Sequence, residues 1–112
     1  MTYDEKLVSR VRNILQGRRG VVEKNMMGSR VFMVNGSMCC AVGPDGLLVR
    51  IDTAEREELL ADPLVSSMKL GARTMKGFLR IAPEAFRTDA SLSKWIERGV
   101  AAGATKRKIR RN

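Results

Sequence analysis

Leu7, Val8, Val11, Ile14 and Leu15 recur at spacings of three and four, which lays one apolar stripe along a helix. Thr2 followed three residues later by Glu5 has the form of a capping box, and Gly17 and Gly20 end the pattern around Arg18 and Arg19. This spacing predicts an amphipathic helix over 3–16. From Val21 the period changes to short β-rich runs: Val21–Met27, Arg30–Val34, Ser37–Val42 and Leu47–Ile51. Asn35-Gly36 is a two-residue hairpin signal because both positions must accept positive φ, and Gly43-Pro44-Asp45-Gly46 is a second turn. Connections this short leave no room for crossover helices, so the four strands form an antiparallel meander.

Beyond Ile51, Asp52 or Thr53 caps a short helix over Ala54–Ala61 that Asp62-Pro63 stops. Leu64–Leu70 is a weaker strand and Met75–Ile81 a clearer one. Asp89 is an N-cap for a third helix, marked by Leu92, Trp95, Ile96, Gly99 and Val100 and ending near Gly103. The expected fold is α+β: an antiparallel β-meander sheet with helices packed mainly on one face, in the order α-β-β-β-β-α-β-β-α. One domain covers 1–103, followed by a basic, disordered tail over 104–112.

The second and third strands break simple alternation. Val31 and Met33 oppose Phe32 and Val34, and Met38 and Cys40 oppose Cys39 and Ala41, so both faces carry apolar residues. A strand with one wet face should alternate. The further face can be closed by sheet curvature, by the last helix or by a second copy of the chain. Met26, Met27, Met33, Met38, Met68 and Met75 cluster in this part of the sequence, where they fill the core or form an adaptable interface.

Charge refines this picture. The 112 residues carry a net charge of +9, which suggests an anionic partner. Residues 1–50 hold 8 Lys and Arg against 4 Asp and Glu, residues 51–100 hold 8 of each, and residues 101–112 hold 5 against none. More than half of the excess therefore sits in the tail. Lys106, Arg107, Lys108, Arg110 and Arg111, with Arg10, Arg12, Arg18 and Arg19 around the first helix, are the candidate nucleic-acid contacts. Cations at a helix C-terminus are also expected from the dipole alone.

The chain has no histidine, which excludes Ser-His-Asp, Cys-His and H-E-x-x-H chemistry. Cys39 and Cys40 are adjacent, so neither a disulfide framework nor a Cys-x-x-Cys metal motif is available, and they read as buried free thiols of a reducing cytoplasm. No cofactor site is expected. No apolar run reaches the ~20 residues that span a bilayer, so no membrane association is expected either.

Glu23-Lys24-Asn25-Met26-Met27-Gly28, Phe32-Met33-Val34-Asn35-Gly36-Ser37-Met38, Leu48-Val49-Arg50 and Met75-Lys76-Gly77-Phe78, with Trp95 downstream, resemble the N-terminal domain of the TfoX/Sxy proteins. The resemblance extends over residues 3–102. It implies a bacterial, cytoplasmic α+β domain, here a stand-alone copy without the C-terminal helical domain of the full-length regulators. Those regulators control natural competence together with the cyclic-AMP receptor protein and are not known as enzymes. The resemblance brings no catalytic residue with it. Asn35-Gly36 is explained by the turn and Gly77 by a close backbone approach or a bulge. Lys24, Arg50 and Lys76 are less well explained by folding and are the candidate partner surface. The expected function is a non-enzymatic interaction module that acts on transcription or competence through a protein partner, with a homodimer as a further partner. The alternative is weak, sequence-independent nucleic-acid binding through the tail and the helix-one arginines.

Overall fold

A computed structural model describes residues 3–26, 28–44 and 46–110, the side chains of 70 and 105–110 excepted. The chain runs α1 (Glu5–Leu15), β1 (Val21–Met26), β2 (Ser29–Val34), β3 (Ser37–Gly43), β4 (Gly46–Arg50), α2 (Arg56–Leu60), β5 (Val65–Leu70), β6 (Arg73–Ile81) and α3 (Asp89–Arg110). Short 3-10 turns at Thr53–Glu55 and Pro83–Phe86 precede α2 and α3. All strand pairs are antiparallel, in the order β1-β2-β3-β4-β6-β5. The α+β architecture and its element order are those expected.

The helix caps differ in detail. Asp4, not Thr2, caps α1, and its carboxylate accepts from the amides of Lys6 and Leu7 at 2.9 and 3.4 Å. A carboxylate at this position is an acceptor that the helix dipole also favours. Thr2 lies outside the described residues. Asp52 caps the turn before α2 by accepting from the Ala54 amide. Thr88, not Asp89, caps α3: its hydroxyl accepts from the Ser91 amide at 3.1 Å, and Ser91 Oγ accepts from the Thr88 amide at 3.3 Å. The α3 backbone continues past Gly103 to Arg110, so the segment read as a disordered tail from 104 is helical as far as that residue. Ala101, Ala102, Ala104 and the following Lys and Arg are strong helix formers, and one glycine costs only ~1 kcal/mol.

Register divides the sheet into two faces. Phe32, Cys40, Val49 and Leu79 form one row across β2, β3, β4 and β6, all of them fully buried. Leu7, Val8, Val11 and Leu15 of α1 and Leu92 and Ile96 of α3 close over this face. Each such side chain contributes about 1.5–3 kcal/mol by leaving water. The Asn35-Gly36 turn has φ of 52° and 84°, as that dipeptide predicts.

A register shift between β2 and β3 leaves Cys39 as an extra residue. Cys39 and Cys40 therefore both enter the core, so part of the two-sided apolar pattern in β3 is a bulge. The Cys39 thiol donates to the Ile96 carbonyl at 3.5 Å. A hydrogen bond with Cys39, followed by burial, pushes the Cys40 thiol well above its ordinary pKa. Gly99 lets α3 reach the bulge, because a Cβ there would lie 2.5 Å from the Cys39 carbonyl oxygen. Gly77 has no such neighbour: a Cβ would meet nothing within 4 Å, which removes the close-approach explanation. Its strand instead faces the β5–β6 register shift, where Arg56 donates to the Lys76 carbonyl and to Ser67 Oγ.

Three arginines tie α1 and the turn after it to the rest of the fold. Arg10 donates to the Phe86 and Arg87 carbonyls at 2.8 and 3.2 Å and pairs with Asp89, fixing the start of α3. Arg12 grips both carboxylate oxygens of Glu23 on β1 at 2.6 and 2.8 Å. Arg18 pairs with Glu97 of α3. The Arg12 hydrogen bond holds the Glu23 carboxyl below the usual range against partial desolvation, with help from the charges of Arg12 and Arg30.

Gly99→Ala should destabilise the fold by about 1–3 kcal/mol in urea unfolding, since backbone stands in the way. Gly77→Ala should change stability by no more than about 0.5 kcal/mol. Because the folded-state pKa of Glu23 is depressed, its contribution is present above the unfolded carboxylate pKa and lost as pH falls through the folded value. Arg12→Ala should raise the Glu23 titration midpoint, read by NMR, and reduce the loss of stability on acidification.

Candidate protein-binding surface

Among the described residues, no helix lies over the opposite face of the sheet. Lys24, Val31, Ala41, Leu48 and Arg80 form one row across it, flanked by the Met33–Met38 and Arg50–Phe78 pairs. This face holds a hollow of about 380 Å³ walled by Met26, Met38, Leu48, Met68, Met75 and Phe78. Val31 and Ala41 form its floor and are only 3% and 2% exposed, although no helix covers them. The long side chains around them do the shielding. Of the three ways to close this face given above, the last helix is not the one observed, since α3 packs on the other side of β3 and β4.

Met26, Met38, Met68 and Met75 all reach the hollow, and Met33 lies on the same face opposite Met38. Met27 lies outside the described residues. Flexible thioethers suit a surface that must fit an irregular partner. Among the described residues lining the hollow, Lys69 and Arg80 are the charged ones, and both are basic.

The three residues expected to form a partner surface do not meet. Lys24 is exposed on edge strand β1, at the far end of its row from Arg80. Arg50 is half-buried and structural: its Nε donates to the Met38 carbonyl at 2.6 Å, beside the β3 bulge, and its guanidinium lies 4.7 Å from the Phe78 ring centroid. Burial lowers its pKa from the ordinary arginine value. Lys76 is exposed on β6 and contributes its carbonyl to Arg56. Arg50 and Lys76 are close in the sheet, since Arg50 pairs with Phe78, whereas Lys24 is three strands away.

The candidate nucleic-acid contacts are also divided. Arg10, Arg12 and Arg18 are engaged with carboxylates, and Arg19 is exposed in the turn after α1. The side chains of Lys106, Arg107, Lys108 and Arg110, and all of Arg111, lie outside the described residues. Sequence reasoning missed Val22, which is 50% exposed on β1 beside Met26 at 47%. The alternation of Val22, Lys24 and Met26 was the available signal, but only the strand order shows that they stand at an edge.

A second crevice of about 500 Å³ lies between α3 and the turn before α2. Charged residues of both signs line it, and Arg98 spans part of it to Glu55 at 3.0 Å. Among the described residues no three His, Cys, Asp or Glu side chains are grouped to hold a metal ion, and no helix is long and apolar enough to cross a membrane.

No match to the chain was found among curated proteins or among solved structures. The TfoX N-terminal domain family matches residues 13–103, which takes in every strand, the Asn35-Gly36 turn and the walls of the hollow. The chain therefore belongs to the TfoX N-terminal domain family.

Proposed function

We propose that this domain is a non-enzymatic interaction module of the cytoplasm that receives an apolar, acidic segment of a protein partner in the hollow of its open sheet face. The observation that carries this reading is the methionine-walled hollow on a sheet face without helical cover. Methionine and aromatic side chains are enriched at the buried centres of protein interfaces. Lys69, exposed among its described lining, favours a partner with a carboxylate near its apolar contacts. Membership of the TfoX N-terminal domain family supports a competence-related role, and we take the partner to be a regulator of transcription.

The engagement of Arg10, Arg12 and Arg18 with carboxylates disfavours nucleic-acid binding by the first helix and the turn after it, leaving that alternative to Arg19 and the C-terminal basic segment. A photo-crosslinking residue placed at Met68 in the cell of origin should capture a transcription regulator, whereas the same probe at exposed Glu57 should not. Leu48→Asp should reduce the capture at least about tenfold, as loss of ~1.4 kcal/mol would. Equal capture at both positions, capture of nucleic acid, or none at Met68 would overturn the reading.

A further inference from the structure

Among the described residues, strand β1 ends the sheet and pairs with β2 alone. The Gly20 carbonyl accepts from the Asn35 amide at 2.9 Å, so the groups of Gly20 point towards β2. Antiparallel alternation then turns the amides and carbonyls of Val21, Glu23 and Asn25 outwards, a row ready to pair with another strand. Val22, Lys24 and Met26 stand at alternate positions on the open face beside this row. Val22 and Met26 are the exposed large hydrophobic residues among those described, and a lysine lies between them.

The lysine selects the occupant. Two β1 strands paired antiparallel so that each Val22 meets the other copy's Met26 would place Lys24 directly against its own counterpart. Like charges directly opposite in a sheet destabilise the pair. A strand with a carboxylate at that position and apolar residues two places to either side satisfies all three side chains at once. On the other face Glu23 is already held by Arg12 and asks nothing of the incoming strand.

We propose that the outer edge of β1 binds an extended peptide of the pattern apolar-x-acidic-x-apolar, added antiparallel as a seventh strand. The added backbone bonds give affinity and the Val22-Lys24-Met26 triplet gives the sequence preference. The proposal rests on the reading of the domain as a protein-binding module, but it uses a surface whose backbone edge lies outside the hollow. The two therefore fail separately: loss of edge binding leaves the Met68 crosslink unchanged, and an empty Met68 crosslink leaves edge binding unchanged.

The test is fluorescence anisotropy of the full chain with a labelled peptide Ser-Thr-Val-Thr-Glu-Thr-Val-Thr-Ser and with its Glu-to-Lys counterpart. The wild-type chain should prefer the Glu peptide by at least about tenfold, and Lys24→Glu should reverse that preference. Asn25→Pro, which removes an outward amide, should abolish binding of both peptides while leaving the far-UV spectrum near wild type. A preference that Lys24→Glu leaves unchanged would overturn the proposal, as would binding that survives Asn25→Pro. So would the absence of saturable binding to the folded wild-type chain. A dimer in sedimentation velocity that Asn25→Pro dissolves would assign the edge to a second copy and overturn it equally.

Discussion

A six-stranded sheet presents two faces to water, and the three helices of this chain cover one of them. Most of the structure follows from that imbalance. The covered face holds Phe32, Cys40, Val49 and Leu79 against α1 and α3 and carries the stability. The other face carries apolar side chains that no helix reaches, and it closes over Val31 and Ala41 with methionines and Phe78. A face built this way is protected enough to fold and open enough to accept another chain.

The close fit of α3 against β3 keeps the helices on their side. It depends on Gly99, on the bulge at Cys39, and on arginine pairs that fasten α1 to β1 and to α3. The basic residues around α1 thus serve the fold first. Arg50 does the same on the open face, where it supports the Met38 carbonyl and covers Phe78. Arg10 and Arg12, which looked like free cations in the sequence, have local acidic or carbonyl partners.

Local chemistry was legible in the sequence and pairing across distance was not. The Asn35-Gly36 turn, the strand periods and the stripe on α1 each depend on a few consecutive residues, and each appears where expected. Apolar residues of both parities in β2 and β3 did indicate a second apolar face. In β3 the same pattern also concealed a bulge, because an extra buried residue and a two-sided strand look alike in sequence. Lys24, Arg50 and Lys76 stood out together only because their types were unexplained, and strand order separates Lys24 from the other two. Arg10 and Asp89 lie 79 positions apart, beyond the reach of any periodicity.

The central proposal is that the methionine-walled face is free to receive a protein partner. Methyl NMR of methionine-labelled protein with a soluble paramagnetic agent measures this residue by residue. Strong broadening is expected for Met26 and weaker broadening for Met38 and Met68, with the same pattern at every protein concentration. Protection of all three that grows with concentration would contradict it, because the face would then be an interface between copies and not a free binding surface.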